Sequence, residues 1–287
     1  MNTLTLRQRM LDALTMGGYS PRTVESYLYA VSALSRHFHR SPGHITPQEI
    51  QDWLLWQVKE KALSPSTCRL YFNGVRFLFV NVLESSEFAA YPFTLPRLKQ
   101  RIPELLSRRE VSLLLATPQQ FNHRLLLRTG YGCGLRLGEL IRIRVQDIDS
   151  EHLLLHVVQG KGGKDRLVPI PASLLTDWRS FWKMHRSGKW LFPSNKKSVA
   201  HYSETMPQRV YTRSKQQADI RKRGGIHSLR HAFATHSLES GMPINQLQSI
   251  LGHSSVNTTL RYTHWLPASD TANRRIDLLA ELPGTDP

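Results

Sequence analysis

Four short segments carry side chains able to act together on a phosphate, and all lie beyond residue 133 of the 287-residue chain. The first is Gly134-Leu135-Arg136-Leu137-Gly138-Glu139-Leu140. Arg136 stands in an apolar, helix-like stretch, where a guanidinium needs an anionic partner. Glu139, three residues on, lies on the same helical face and can supply one. The two form either an internal ion pair or a carboxylate that aims a planar fork at an external phosphate. The second segment is Gly160-Lys161-Gly162-Gly163-Lys164, a glycine-rich turn bearing two ammonium groups. No Gly-Lys-Ser/Thr follows at phosphate-loop spacing, and an ordinary exposed hairpin fits it equally well. The third runs from His227 to His236 (HSLRHAFATH). Its stripe of Leu229, Phe233 and alanines makes it a buried helix with three histidines and one arginine. Zinc is the rival, but no carboxylate stands between the histidines as in HExxH, and none follows before Glu239. His227 and Arg230, three apart, can reach one point, which suits an oxyanion; histidines satisfied within a core remain the plain alternative. The fourth segment joins Leu251-Gly252-His253-Ser254-Ser255 to Thr258-Thr259-Leu260-Arg261-Tyr262-Thr263-His264. Nothing local marks Tyr262 as a nucleophile, and core packing is the default for it.

The elements that must position these groups are legible in outline. Residues 3–17 place Leu4, Leu11 and Leu14 near one helical face, and Gly17-Gly18 ends the pattern. Ser20-Pro21, Thr46-Pro47-Gln48-Glu49 and Ser64-Pro65-Ser66-Thr67 are N-cap signals opening three further helices, the last reaching about residue 84. Four helices in about 85 residues predict a compact all-α domain over 1–91. Pro92, Pro96 and Pro103 bracket a basic stretch and predict an interdomain linker over 92–103, with a long loop in one domain as the alternative. Beyond it, 107–117 and 124–131 read as helices, 151–158 and 166–170 as strands of a hairpin, and 172 onward as helices. The fold class expected is mainly α with a small β-hairpin or sheet (α+β).

Composition narrows the partner. Lys and Arg number 38 against 22 Asp and Glu, a net charge of +16. Residues 1–98 hold 10 basic and 7 acidic side chains, whereas 99–287 hold 28 and 15. Such an excess favours a polyanion, nucleic acid or an anionic membrane. No run approaches the ~20 apolar residues that span a bilayer, and the N-terminus lacks the apolar core of a signal peptide. Two cysteines, Cys68 and Cys133, are too few for a disulfide framework or a cysteine zinc module. The composition implies a soluble, cytoplasmic nucleic-acid binder and does not by itself imply an enzyme.

Taken together, Arg, Lys, His-x-x-Arg, Gly-His and Tyr in this order resemble the tyrosine recombinase (phage integrase) family, in its Xer-like or mobile-element form. The matching segments are GLRLGEL, QGKGGKDRLVPIP, HSLRHAFATH, LGHSS and TTLRYTH, and the resemblance spans nearly the whole chain. It implies a helical core-binding domain over 1–91 and a catalytic domain over 104–265. It implies that Arg136 and Arg230 are paired catalytic arginines, Lys161 the hairpin lysine, His227 and His253 the active-site histidines, and Tyr262 the nucleophile. Glu139 matches the acidic residue beside the first arginine. The implied chemistry needs no metal and no cofactor. Tyr262 forms a 3′-phosphotyrosine, Lys161 protonates the leaving 5′-oxygen, His227 is the base towards Tyr262, and His253 donates to the phosphate.

The implied partners are double-stranded DNA recombination sites, two of them held by a homo-tetramer or together with a second related recombinase. Arg97, Lys99, Arg101, Lys164, Arg221, Lys222 and Arg223 are the candidate DNA contacts. The tail, 266–287, carries Ile276, Leu279 and Ala280 at helical spacing and wants a surface to cover them. The resemblance favours a neighbouring protomer, with docking on its own domain as the alternative. A type IB topoisomerase-like enzyme and a non-catalytic DNA-binding protein of the same fold are the rival readings.

Overall fold

The N-cap hydroxyls anticipated in the first segment all engage. In the computed structural model, which describes residues 5–98, 103–158, 165–186, 188–194 and 197–263, the chain divides into two compact units, 1–101 and 102–287. The first holds helices α1 (Leu6–Met16), α2 (Pro21–Phe38), α3 (Pro47–Lys59), α4 (Pro65–Phe77) and α5 (Ser86–Ala90). Thr5, Ser20, Thr46 and Ser64 each accept the amide three residues on, and Thr46 forms a full capping box with Glu49. Proline opens α2, α3 and α4, where its missing N–H costs nothing. The fourth helix is shorter than expected. It ends at Phe77 and continues as one π-helical turn, Leu78–Val82, before α5, which the sequence pattern did not announce. Met10, Leu14, Leu34, Ile50, Trp53, Val75, Leu78 and Phe88 form the core of this unit.

The stretch expected as a linker is tied to the first unit as far as residue 96. Phe93 and Leu95 pack against its core, Thr94 exchanges hydrogen bonds with Gln51, and Arg69 donates to the Pro96 carbonyl. Arg97 is exposed; Lys99 and Arg101 lie outside the described residues.

The second unit is built around α7 (Phe121–Gly132), whose Leu125, Leu126 and Leu127 are wholly buried. Preceding it is α6 (Arg108–Ala116), and following it is the short α8 (Leu137–Ile141). Strands β1 (Ile148–Asp149), β2 (Leu154–Val157) and β3 (Arg166–Pro169) form an antiparallel sheet in that order, with Val157 opposite Arg166 and Leu155 opposite Val168. The connection between β2 and β3, with Lys161 and Lys164, lies outside the described residues. Helix α9 (Ala172–His185) covers the core with Trp178, whose indole N–H donates to Thr129. The expectation of helices alone beyond 172 is corrected here: β4 (Pro193–Ser194) pairs with β5 (Lys197–His201). Then come α10 (Thr205–Gln217), α11 (His227–Glu239), α12 (Ile244–Leu251) and α13 (Val256–Thr263). The tail expectation, 266–287, falls outside the described residues. Among these, no helix is long and apolar enough to cross a membrane.

Candidate active site

The site is assembled where α8, β3, α11 and the turn between α12 and α13 meet. Arg136 differs from its sequence reading in one respect. It is the N-cap of α8, with extended backbone (φ −71°, ψ 154°), not a residue inside the helix. The turn before it needs Gly134 in the left-handed region (φ +57°), and a Cβ there would collide with the Phe233 ring of α11. Close approach of this turn to α11 lets the Gly134 carbonyl accept from Arg230 Nη1 at 2.7 Å.

Glu139 is the organising anion. Its Oε2 accepts the Arg136 amide at 2.8 Å and its Oε1 accepts Arg136 Nη1 at 2.8 Å, so the carboxylate caps the start of α8 and holds the cap residue's guanidinium at once. Arg166 of β3 grips the same carboxylate with both Nη atoms, at 2.8 and 2.7 Å. Burial alone would raise the Glu139 pKa, but the Arg166 hydrogen bonds and charge, then those of Arg136, hold it at about 2. Arg166 also donates Nε to the Ile250 carbonyl at 2.7 Å and packs against Gly252 (φ +63°), leaving no room for a Cβ there.

Arg136 reaches across to the Gly252 carbonyl at 3.1 Å. Arg230 is the most buried of these cations, 1% exposed, and its Nη2 donates to the Leu251 carbonyl at 2.6 Å. Burial and the Arg136 charge lower its pKa to about 10, so it stays cationic at neutral pH. The same nitrogen lies 3.2 Å from His253 Nε2, and His253 Nδ1 lies 2.9 Å from Thr259 Oγ1. A guanidinium only donates, so Nε2 is the acceptor and the proton sits on Nδ1, directed at Thr259. Burial, then Arg230, Arg136 and Arg166, lower the His253 pKa to about 4.

Tyr262 completes the cluster from α13. It is 3% exposed and packs with Ala234, Leu247 and Leu251, while its ring stacks parallel to His253 at 6.2 Å between centroids. Its hydroxyl is 3.1 Å from His231 Nδ1. The family resemblance pairs Tyr262 with His227; the imidazole at hydrogen-bond distance is instead His231, one helical turn on. His227 stands at the start of α11, open to solvent on one side and edge-on to His231 at 4.6 Å, and the partial desolvation of its ring, then Arg230 and Arg136, push its pKa down.

The structure thus brings together Arg136, Glu139, His227, Arg230, His253 and Tyr262. Two residues at the site were missed. Arg166 was detectable in principle: β3 alternates, and Arg166 shares a face with buried Val168 and Ile170, so a charge there implies a buried partner. His231 had no such signal. A basic groove of about 500 Å³ was missed as well; it runs from Arg136 past Arg142, Arg144, His156 and Lys189. Of the basic run, Arg221 and Arg223 are exposed, but Lys222 is not available as expected. Its ammonium is directed inward, to the Leu105 carbonyl at 2.7 Å and the Glu110 carboxylate at 2.5 Å. Among the described residues, no three His, Cys, Asp or Glu side chains converge as a metal site would require.

The phage integrase family profile matches residues 102–268, and the N-terminal SAM-like domain of phage integrases matches residues 6–86. The chain is similar to an integrase/recombinase of Escherichia coli, at 32% identity with 86% of each chain covered. It is equally similar to the tyrosine recombinase XerA of Thermococcus onnurineus, at 32% identity with 87% of each chain covered. Its fold matches a lambda integrase dimer bound to a COC′ core site, with a TM-score of 0.71 at 19% identity over 88% of this chain and 96% of that one.

Proposed function

Because this chain belongs to the phage integrase family and is a tyrosine site-specific recombinase, we propose that it cuts and rejoins duplex DNA through a covalent 3′-phosphotyrosine on Tyr262. What carries this reading is the convergence of Arg136, Arg230, His253 and Tyr262, from separate chain segments, on one point beside Glu139.

Recombination must break a phosphodiester without losing its energy to water, and a protein nucleophile stores that bond. Tyr262 Oη attacks phosphorus, a P–O(Tyr) bond forms, and the 5′-oxygen leaves with the bonding pair and a proton. The 5′-hydroxyl of the partner strand then reverses the step, so no ATP is consumed. Arg136 and Arg230 stabilise the charge that builds on the non-bridging oxygens, and Glu139 keeps their forks fixed so that little reorganisation is needed. In the free protein Arg230 spends its donors on backbone carbonyls. The scissile phosphate replaces some of these, and its charge favours a second proton on His253, turning Nε2 into a donor. Because Tyr262 is buried, its hydroxyl must be opened to the phosphate before attack. Lys161, on the β2–β3 connection, is assigned to the leaving oxygen.

The partners follow from the charge. Duplex DNA runs along the groove of Arg142, Arg144 and Lys189, with exposed Arg97, Arg221 and Arg223 as further phosphate contacts. Two such sites are held by four copies of the chain, alone or with a related recombinase.

The test is covalent trapping on a nicked suicide substrate carrying a site selected from random duplexes. Wild type accumulates an adduct that maps to Tyr262, and Tyr262→Phe binds the site but forms none. An adduct on another tyrosine overturns the assignment. Relaxation of supercoiled plasmid without any paired site would instead favour topoisomerase-like chemistry.

A further inference from the structure

We infer that His231 is the catalytic proton acceptor for Tyr262, a role that rests on Tyr262 being the nucleophile proposed above. The phenol ring is clamped by Ala234, Leu247 and Leu251, so its hydroxyl has a defined direction, and at 3.1 Å along that direction stands His231 Nδ1. Packing of α13 on α11 sets this contact, and it places two tasks on adjacent residues of one helix. Arg230 turns towards the phosphate site, through His253 and the Gly134 and Leu251 carbonyls, while His231 turns towards the nucleophile. His227, one turn earlier, meets His231 edge-on and is exposed to solvent, which leaves it free to meet the substrate phosphate.

The groups facing His231 decide its protonation. On α11 these are His227 and Arg230; from α13 comes Tyr262; Arg136 before α8 and His253 before α13 surround the phenol. On the α6 and α7 sides, Tyr131 and Arg108 engage His236 and its carbonyl, more than a turn farther along α11. Burial first, then His227 and Arg230, bring His231 down to about 4. The imidazole is therefore neutral at physiological pH, with a lone pair to give. Burial raises Tyr262, and Arg230 and Arg136 pull it back, so the phenol is protonated and needs a base.

The step balances as follows. The Tyr262 Oη–H proton passes to His231 Nδ1 as the P–O(Tyr) bond forms and the P–O5′ bond breaks, its electron pair leaving on the 5′-oxygen. In rejoining, the 5′-hydroxyl attacks, the phenolate departs, and the His231 imidazolium returns the proton to it. Crowding by Arg230 and His227 makes that imidazolium a ready donor in rejoining; in cleavage the negative charge of the bound phosphate offsets those cations and strengthens the imidazole as an acceptor.

The experiment measures single-turnover adduct formation by the full-length protein on a nicked suicide duplex between pH 6 and 9. Asn at 231 can place an amide where Nδ1 stands, keeping a hydrogen bond to Tyr262 without a base. Wild type is expected to show a nearly flat profile, because the acceptor is already neutral. His231→Asn is expected to be slower by about 100-fold at pH 7, with a rate that climbs roughly tenfold per pH unit as preformed tyrosinate takes over, and with unchanged affinity for the site. His231→Ala should be rescued in part by added imidazole. A His231→Asn profile parallel to wild type, or an unchanged rate, overturns the inference while leaving Tyr262 as nucleophile. A wild-type adduct on another tyrosine overturns both. If His231→Ala does not fold, the shape of the His231→Asn profile still decides.

Discussion

Arg166 and Glu139 meet fork to fork, two N–H donors on two carboxylate oxygens at 2.8 and 2.7 Å, with side chains only 8% and 10% exposed. Through this pair the start of β3 is joined to Arg136, which Glu139 also holds. Glu139 cannot tilt without breaking its grip on Arg136, and Arg166 holds the Ile250 carbonyl at the same time.

Replacing Arg166 should therefore harm cleavage more than binding. Arg166→Lys keeps the charge but offers no planar fork. Single-turnover cleavage is expected to fall by about 10- to 100-fold with little change in affinity for a DNA site. Arg166→Met strands a buried carboxylate and should cost roughly 3–5 kcal/mol in urea unfolding. Equal activity of Arg166→Lys and wild type would show that the fork geometry is unimportant.

Acid should weaken the catalytic unit through the same carboxylate. The folded Glu139 pKa is about 2, below its ordinary value near 4.5. A depressed carboxylate contributes stability that is complete above the unfolded pKa and is lost as pH falls from about 4.5 towards 2. The contribution is on the order of 3 kcal/mol. Urea midpoints measured down to pH 2.5 should fall steeply in wild type and less steeply in Glu139→Gln, which starts less stable.

His231 and His253 should act in a higher window with the same sense. Both are held at about 4, below the ordinary value of 6.5. The unfolded chain thus binds protons first as pH falls from 6.5 to 4, and stability declines across that range. Resonances of the two imidazoles followed by NMR should titrate near 4 in the free protein. Orthovanadate, filling the phosphate site, should raise His253.

Gly134→Ala tests the turn that sets Arg136. Its φ of +57° is unfavourable for alanine, and the new Cβ would collide with the Phe233 ring. A loss of more than about 1 kcal/mol is expected, along with loss of cleavage. A variant as stable and active as wild type would mean that the turn can relax without moving Arg136.

The groove beside Arg136 should supply affinity without specificity. Removing Arg142 and Lys189 together, as alanine, should weaken binding to every duplex alike. The slope of log affinity against log salt should decrease by about 2, close to one for each phosphate no longer neutralised. A change in sequence preference would show that these side chains read bases.

The sequence by itself determined the main helix starts and most of the reactive groups, because those signals are local. Ser20, Thr46 and Ser64 before proline announce helix starts from nearest-neighbour hydrogen bonding alone. The spacing of His227 and Arg230 likewise places both on one helical face. Tertiary structure decided everything that depends on which segments meet. Arg136 reads as a helical residue, yet it is a cap, because Gly134 turns the chain against Phe233, a neighbour 99 positions away. Lys222 reads as a DNA contact, yet α6 turns it inward with Glu110. Local spacing leaves Tyr262 one of nine tyrosines and only the order of the motifs singles it out; packing of α13 on α11 then put its hydroxyl beside His231, a pairing no spacing could reveal. A side chain's type fixes what it can do, whereas its partners, and hence its charge and reach, are set by contacts between residues far apart in the chain.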